Sequence, residues 1–228
     1  MKLSVVIPCF NESKTIVEVL QKIRDCKLDD VDVEVIVVDD GSTDGTAALL
    51  STHSSLLDVK VSMESNGGKG AAVIAGLRLA RGDYVLIQDA DLEYSPAEYE
   101  RLLFPVLHFG AETVIGTRFF PPNFSRIFYL SHKIGNRLIT ILFNIRYHTT
   151  FSDIYCGYLV FRRDVINPDI LCRNGWGQQA EILGILVKNS KEVYEVPIDY
   201  RGRSYGEGKK IRWYHIFDVI RAIFLIHK

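Results

Sequence analysis

The chain has 228 residues, of which 47% are hydrophobic and 24% charged, and its formal net charge is −1. This is the composition of a globular protein, and the length fits one domain with a core of useful size. The near-neutral charge excludes the global positive field that recruits nucleic acid, so no nucleic-acid partner is expected. The four cysteines form no CxxC pair, which argues against a zinc site or a disulfide scaffold and favours a cytoplasmic protein.

The first half of the chain alternates apolar strands with helical segments. Ser42 or Thr43 fits the N-cap position of the second helix. This order predicts an α/β fold with a mostly parallel sheet that helices cover on both faces. The predicted strands are 3–8, 33–40, 59–64, 83–88 and 112–118, and the predicted helices are 13–26, one opening at "STDGTAALL", one opening after the glycines at 67–68, and Pro96 to about His108.

The second half is less regular and carries two helical stretches, 124–147 and 211–228, that mix apolar, aromatic and basic residues. Such helices suit a membrane interface, although a core helix or a dimer face fits the second stretch equally well, so a homo-oligomer stays open. No uncharged apolar run reaches the roughly 18–20 residues of a membrane span. The remaining predicted elements are the strands 157–163 and 191–200, a helix near 178–189 and a basic loop at 201–212.

Acidic residues follow three of the predicted strands. In an open parallel sheet, ligands bind at the carboxyl ends of the strands, so these acids are expected to share one site. Capping of the following helices explains Asp44, or one of the pair Asp39 and Asp40, but it does not explain three acids together after the fourth strand. The acids at the strand ends are Glu12, Asp39, Asp40, Asp89, Asp91 and Glu93.

The acids after the fourth strand indicate a bound cation. If this segment stays extended, Asp89 and Asp91 project to the same side, and carboxylates about 6–7 Å apart repel by about 2.5 kcal/mol at an effective dielectric of about 20. Either one acid is protonated or a cation lies among them. Oxygen ligands suit Mg²⁺ or Mn²⁺ held together with substrate phosphates, and Lys69 in "NGGKGAA" is placed to reach a phosphate.

Seven motifs occur in an order that resembles the family 2 glycosyltransferases, in the branch of dolichol-phosphate mannose synthase and the bacterial polyprenyl-phosphate glycosyltransferases. The resemblance implies a GT-A, Rossmann-like fold, inversion at the transferred sugar, a nucleotide-sugar-binding half at 1–118 and a C-terminal acceptor-side elaboration at 119–228 within a single domain. The motifs are "VVIPCFNE", "VIVVDDGSTDGT", "NGGKGAA", "LIQDADLEY", "IGTRF", "SDIYCGYLVFRR" and "YGEGKKI".

The resemblance also implies roles for residues on the donor side. Lys69 resembles the residue near the donor phosphates, and Asp89 and Asp91 match the family's D-x-D motif around Ala90. The implied metal ligands are Asp89, Asp91 and Glu93, of which the last two are the more direct. The residues implied to contact the nucleoside part of the donor are Pro8, Phe10, Glu12, Asp39 and Asp40.

On the acceptor side, Arg118 resembles a family arginine at the acceptor or sugar, and Asp153 resembles the proposed catalytic aspartate. From the residues alone, Asp153 fits a helix or turn cap. Arg203 and Lys209 resemble a loop that holds phosphates. The family often has acids at the positions of Gln179 and Glu181, and here only Glu181 is acidic, so the role of this segment is open.

The expected reaction moves a hexose from a nucleoside diphosphate sugar, GDP-mannose or UDP-glucose, to a polyprenyl or dolichyl phosphate. A phosphate acceptor is already ionised and needs cations such as Arg118, Arg203 or Arg137, whereas a hydroxyl acceptor needs a base such as Asp153. For Arg137, a solvated helix face fits equally well.

Three alternatives stay open. They are transfer to a saccharide or protein hydroxyl, nucleotidyl transfer, and a non-catalytic nucleotide-sugar-binding subunit. Relatives often continue into membrane helices, whereas this chain stops at Lys228. We therefore expect a cytoplasmic protein with a peripheral contact on the cytoplasmic face of a membrane, or a membrane partner subunit.

Overall fold

Seven strands of the described chain form one sheet in the order β3-β2-β1-β4-β6-β5-β7. The structure is a computed structural model that describes residues 1–119, 130–172, 174–202 and 216–224, with the backbone alone at 131–132. The strands are β1 Lys2–Cys9, β2 Asp32–Asp39, β3 Val59–Ser62, β4 Tyr84–Ile87, β5 Thr113–Thr117, β6 Leu159–Arg162 and β7 Val193–Pro197.

The direction of β6 determines which loops reach the site. β1 is parallel to β2 and β4, β2 to β3, and β5 to β7, whereas β6 is antiparallel to both of its neighbours. In this register Leu159, the first residue of β6, lies beside Ile87 of β4 and Ile115 of β5. The residues that precede β6 therefore lie at the edge of the sheet where the parallel strands end.

Helices connect the strands, which confirms the predicted α/β fold with a mostly parallel sheet. Continuous apolar runs such as Val35–Val38 in β2 are completely buried, as expected for strands covered on both faces. In α3, a Cβ at Gly76 would lie 2.4 Å from Cγ1 of Val6, so glycine lets this helix lie directly on β1. The helices are α1 Ile16–Asp25, α2 Thr46–Thr52, α3 Lys69–Leu79, α4 Tyr99–Phe109, α5 Leu130–Tyr147, α6 Gln178–Asn189 and α7 Ile216–Phe224.

Two local predictions were wrong. α2 begins at Thr46 with Gly45 at its N-cap position, because Ser42 and Thr43 are bonded elsewhere. The Ser42 hydroxyl accepts the N–H of Asn11, and the Thr43 N–H bonds to the side chain of Asn11. The extended conformation considered for residues 88–93 is also absent, since β4 ends at Ile87 and the chain bends from residue 90.

Helix α5 has a buried face and an exposed apolar face. Ile139, Thr140 and Phe143 are buried, and the helix packs against α6 and α7. Spacings of three and four residues place the exposed residues on one stripe, which we call the α5 stripe. The α5 stripe consists of Leu130, Ile134, Leu138, Ile141 and Ile145. No helix within the described residues is both long and apolar enough to cross a membrane.

Candidate active site

A cavity of about 420 Å³ opens where β1, β2 and β4 end. Asp39 and Asp153 are predicted site residues that are buried and do not line it, and Arg137 is exposed on α5. Arg203, Lys209, and the parts of the two basic helical stretches at 124–129, 211–215 and 225–228 lie outside the described residues. The predicted residues that line the cavity are Pro8, Phe10, Glu12, Asp40, Lys69, Asp89, Ala90, Asp91, Glu93 and Arg118.

The two acids at the end of β2 have different surroundings. The carboxylate of Asp40 lines the cavity and accepts the N–H groups of Gly67 at 2.7 Å and Gly68 at 2.9 Å. Burial raises the pKa of Asp40, and these two hydrogen bonds offset that rise only in part. Asp39 instead accepts the N–H of Ser42 at 3.1 Å, so it shapes the turn after β2 and does not contact the cavity.

The glycine loop before α3 joins the opposite wall of the cavity. Gly68 has a φ of +91°, and a Cβ there would lie 2.5 Å from the carbonyl oxygen of Asn174. The same carbonyl oxygen accepts the N–H of Gly70 at 2.9 Å. Only glycine fits this conformation and this close approach. The approach brings Lys69, the first residue of α3, into the cavity wall.

Hydrogen bonds from buried polar groups hold the backbone of the acidic segment after β4 in place. The Oε1 atom of Gln88 accepts the hydroxyls of Tyr99 and Tyr158, each at 2.8 Å, and its Nε2 atom donates to the carbonyl oxygen of Asp89. The Thr15 hydroxyl donates to the carbonyl oxygen of Ala90 at 2.9 Å. Gln88 is fully buried, so these bonds fix where the acids begin.

A lysine ammonium lies among the three acids. The Nζ atom of Lys69 is 2.5 Å from Oδ1 of Asp89. Burial lowers the pKa of Lys69, but the charges of Asp89, Asp91 and Glu93 outweigh it, and the pKa is raised. The cation that the acidic pattern requires is thus supplied here by a side chain of the protein.

The same acids suit a divalent cation when phosphates are present. Within the described ranges, no three His, Cys, Asp or Glu side chains are grouped as a ready metal site, and Asp89 is paired with Lys69. Asp91 and Glu93 nevertheless line one cavity, and Mg²⁺ needs only one or two carboxylates when substrate phosphates complete its shell. The donor set therefore fits Mg²⁺ or Mn²⁺, and the assignment of Asp89, Asp91 and Glu93 as ligands stays a prediction.

Arg118 is the cation on the other side of the cavity. Its Nε atom lies 2.6 Å from Oδ2 of Asp153, and its Nη2 atom lies 2.8 Å from Oδ1. Burial lowers the pKa of Arg118 and raises the pKa of Asp153. The attraction and the hydrogen bonds between the two groups outweigh both effects of burial, so Arg118 is charged and the pKa of Asp153 is lowered. The guanidinium carbon also lies 5.1 Å from the ring centroid of Tyr200.

Tyr200 connects Arg118 to the acidic segment. Its hydroxyl donates to Oε2 of Glu93 at 2.7 Å, and the N–H of the next residue, Arg201, donates to the carbonyl oxygen of Glu93 at 3.0 Å. Its ring lies 5.1 Å from that of Tyr94. Neither tyrosine was predicted, although Tyr94 directly follows the acids in the sequence.

Apart from Gln179, whose role was left open, sequence reasoning also missed an uncharged wall of the cavity, which we call the amide wall. The Tyr155 hydroxyl donates to the carbonyl oxygen of Trp176, and Gln179 Nε2 donates to the carbonyl oxygen of Cys156 at 2.9 Å. Glu181 lies outside the cavity lining and accepts the N–H and thiol of Cys172. A tryptophan between glycines in "RNGWGQQ" was the available signal. The amide wall consists of Tyr155, Asn174, Gly175, Trp176, Gln178 and Gln179.

Two curated relatives resemble this chain over most of its length. The dolichol-phosphate mannosyltransferase of Pyrococcus furiosus is 31% identical over 231 residues, which cover 100% of this chain and 64% of the relative. The undecaprenyl-phosphate 4-deoxy-4-formamido-L-arabinose transferase of Proteus mirabilis is 29% identical over 213 residues, which cover 91% of this chain and 62% of the relative. The chain thus spans less than two thirds of the length of either relative.

A solved structure supports the fold. The glucosyl-3-phosphoglycerate synthase of Mycobacterium tuberculosis, in complex with Mn²⁺, UDP-glucose and phosphoglyceric acid, superposes with a TM-score of 0.70 at 22% identity over 99% of this chain and 79% of that one. This likeness confirms the GT-A fold expected from the motifs. The family model described as glycosyl transferase family 2 matches residues 4–168. The chain therefore belongs to glycosyl transferase family 2.

Proposed function

We propose that this protein transfers a hexose from a nucleoside diphosphate sugar to a polyprenyl phosphate, with inversion at the transferred carbon. The observation that carries the proposal is a single cavity with Lys69 among three acids on one side and Arg118 on a buried carboxylate on the other. Two separated cationic groups suit a reaction in which a phosphate attacks and a diphosphate leaves. The names of both curated relatives include a polyprenyl-type phosphate.

The donor would occupy the side of the cavity formed by the ends of β1 and β2. Pro8, Phe10 and Glu12 line that side together with Asp40 and the glycine loop, which suits a nucleoside with its phosphates directed toward Lys69. One relative is named for mannose and the other for 4-deoxy-4-formamido-L-arabinose, and the solved neighbour was determined with UDP-glucose. Mannose from GDP-mannose and glucose from UDP-glucose are therefore both candidates. A panel of donors in the assay distinguishes them.

The acids would hold Mg²⁺ or Mn²⁺ together with the donor phosphates, most directly through Asp91 and Glu93. When bound, the metal would supply Lewis-acid stabilisation of the charge that develops on the leaving diphosphate. Lys69 supplies a second, preorganised positive charge beside the same phosphates. Tyr200 orients Glu93 through its hydrogen bond, and Gln88 fixes the backbone at Asp89.

The transfer would be one displacement. An oxygen of the acceptor phosphate attacks the anomeric carbon, the bond from that carbon to the donor phosphate oxygen breaks, and the nucleoside diphosphate leaves with the electron pair. A phosphate monoester has its second pKa near 6, so the nucleophile is ionised near neutral pH and no proton has to be removed. Arg118 would bind and orient this phosphate, since the guanidinium fork matches phosphate oxygens.

The acceptor lipid would reach the cavity from a membrane surface that the α5 stripe contacts. The exposed apolar residues of this stripe face away from the buried side of α5. Three basic residues of the same helix, Lys133, Arg137 and Arg146, are exposed as well. An apolar face with basic neighbours suits the interface of an anionic membrane. The contact would be peripheral, or shared with a membrane partner subunit.

The test is donor turnover by the whole chain. The protein would be incubated with Mg²⁺ or Mn²⁺, a short polyprenyl phosphate and a panel of nucleoside diphosphate sugars, and release of nucleoside diphosphate would be measured. We expect release that needs both metal and lipid phosphate, that is lost in Asp91→Ala, and that persists in Asp29→Ala, a substitution in the exposed loop after α1. Release with a saccharide or protein hydroxyl but not with the lipid would overturn the acceptor assignment. Release of pyrophosphate, or binding without turnover, would overturn the reaction.

A further inference from the structure

We propose that Asp153 and Asn136 are positioning residues that hold the Arg118 guanidinium in the cavity, and that Asp153 is not a general base. The inference rests on the proposed function for the identity of the anion that Arg118 binds. It assigns a role to Asn136, which no sequence motif indicated. It also replaces the expected role of Asp153 by one that its surroundings can support.

The Asp153 carboxylate is saturated with donors. It accepts hydrogen bonds from Arg118 through the backbone N–H at 3.2 Å, Nε at 2.6 Å and Nη2 at 2.8 Å, from Asn136 Nδ2 at 2.7 Å, and from the Tyr155 N–H at 3.2 Å. An ionised carboxylate offers about four lone-pair sites. Asp153 is fully buried and does not line the cavity. A base must lie within hydrogen-bond reach of the proton that it removes, and this carboxylate is enclosed by its own partners.

The backbone of Asp153 is fixed separately from its side chain. The carboxylate of Glu195 on β7 accepts the N–H of Ser152 at 2.9 Å and the N–H of Asp153 at 3.1 Å. Around Asp153, the described charged and titratable groups are therefore Arg118 from the end of β5, Glu195 from β7, and the thiol of Cys156 on its own loop. Arg118 is the cation in this set, so the acid and the arginine depend on each other for charge balance.

Asn136 brings α5 into this arrangement. An ionised carboxylate only accepts hydrogen bonds, so the Asn136 amide must turn its N–H group toward Oδ1 of Asp153. Among the residues that the structure describes, its own Oδ1 atom is then buried without a hydrogen-bond partner, which is unfavourable for a buried carbonyl group. The orientation of Asn136 is thus set by Asp153. A shift of α5 would be transmitted through these two side chains to Arg118.

The arrangement leaves Arg118 able to bind a phosphate. A guanidinium has five N–H groups. The Asp153 carboxylate engages one on Nε and one on Nη2, and the Tyr200 hydroxyl accepts a further hydrogen bond from Arg118, which leaves two N–H groups for a phosphate. Arg118 lines the cavity, and the ring of Tyr200 lies against the guanidinium. Because Asp153 and Tyr200 already hold the guanidinium in place, the acceptor phosphate does not have to order it on binding.

The decisive variant is Asn136→Asp, studied across pH. At pH 7.5 its new carboxylate repels Asp153, and we expect the acceptor KM to rise and turnover to fall roughly 10- to 100-fold, as for a catalytic group displaced by about 1 Å. Toward pH 5 the new carboxyl protonates and can donate the missing hydrogen bond. Activity relative to wild type at each pH should then recover. Asn136→Leu should lose activity without recovery at any pH.

Asp153→Asn separates positioning from base catalysis. If Asp153 positions Arg118, the substitution raises the acceptor KM, and the acid limb of the pH profile of kcat keeps its wild-type position. Loss of kcat with an unchanged acceptor KM, together with loss of that acid limb, would identify Asp153 as the base and overturn the proposal. Wild-type activity in both Asn136 variants would overturn it as well.

A measurement without substrate separates this inference from the proposed function. The Nε–H resonance of Arg118, assigned by its loss in Arg118→Lys, should be sharp and slowly exchanging in the wild-type protein. It should broaden in Asn136→Leu and in Asn136→Asp at pH 7.5, and return in the latter at pH 5. The control is Asn189→Leu, which removes an amide bond at the end of α6, to the carbonyl oxygen of Val165, and should leave the resonance unchanged. An unchanged resonance in Asn136→Leu would contradict the inference, whatever the result of the turnover assay with polyprenyl phosphate.

Discussion

Lys69 and Asp89 form an ion pair in which Nζ lies 2.5 Å from Oδ1, and the charges of Asp91 and Glu93 act on the same ammonium. The glycines before α3 make this possible, because they bring the first turn of the helix up to the acidic segment after β4. The pair gives the site a resident cation before any substrate binds. A donor with its metal would have to share or displace that cation.

Lys69→Met should make the protein depend more strongly on a divalent cation. Without metal, three acids lose their common counter-ion, and we expect Tm to fall by about 2–4 °C, as for a loss of about 1 kcal/mol in a chain of this size. Added Mn²⁺ should raise Tm more in the variant than in the wild type. Lys22→Met removes an exposed ion pair with Glu18 and is the control. An equal response to Mn²⁺ in Lys69→Met and wild type would contradict the role of Lys69 as the resident cation.

Tyr200→Phe should weaken metal binding more than acceptor binding. The substitution removes the hydroxyl that donates to Glu93 and that also bonds to Arg118, but it keeps the ring against the guanidinium. Loss of a partner that orients a metal ligand typically costs 10–100-fold in affinity, so we expect the Mn²⁺ requirement to rise about tenfold and the acceptor KM to rise less. Tyr194→Phe, on the ring that stacks with Phe109, serves as control. An Mn²⁺ titration that matches wild type would argue against Glu93 as a ligand.

Asp44 should contribute a pH-dependent part of the stability. The slight burial of Asp44 raises its pKa, but hydrogen bonds from the Thr46 hydroxyl and from Ser13 lower the pKa by a larger amount. The net pKa therefore lies below the ordinary value of 3.8. A lowered pKa stabilises the fold above the unfolded-state pKa, and this contribution disappears as pH falls toward the folded-state pKa. Because the side chain is exposed and solvent screens its charge, Asp44→Asn should cost only about 1 kcal/mol at pH 7 and progressively less below pH 4. Urea unfolding at pH 7 and at pH 3 measures the difference. A cost that stays constant between these pH values would show that charge is not involved.

The α5 stripe should decide activity on membrane-bound acceptors. The double substitution Ile134→Glu and Ile141→Glu places two charges on the exposed stripe, so we expect vesicle binding to fall in sedimentation assays. Turnover of a long polyprenyl phosphate in anionic vesicles should fall by at least about tenfold, as two acidic groups oppose a surface worth about 1 kcal/mol per charge. A short soluble acceptor should be used normally. Phe104→Glu with Leu107→Glu charges an exposed apolar face of α4 instead. Equal losses in both double variants would rule out a specific role for α5.

The sequence was sufficient for the strands and for the acidic side of the cavity. Strands β1, β2 and β4 are continuous apolar runs, and the acids directly follow them, so their position at one edge of the sheet follows from parallel pairing. The bounds predicted for the helix at 178–189 agree with α6. These features depend on neighbours in the sequence, which is why the pattern of residues reveals them.

Features that depend on the reversed direction of β6 could not be predicted in this way. The antiparallel pairing of β6 brings the loop with Asp153 and Tyr155 to the edge where Arg118 follows β5. An aspartate in "FSDIYCG" looks like an ordinary turn residue, and nothing local reveals that it is fully buried beneath an arginine. The amide wall is likewise assembled from separate parts of the chain.

The bond between Tyr200 and Glu93 joins residues 107 positions apart. During synthesis at about 5–20 residues per second, roughly 5–20 s pass between the emergence of the acid and that of the hydroxyl. For that interval β1, β2 and β4 can already pair, since all three precede Glu93, while the acidic segment lacks this long-range support. Closing so large a loop is slow compared with forming local helices. The nascent protein should therefore pair β1, β2 and β4 well before Glu93 gains its bond to Tyr200.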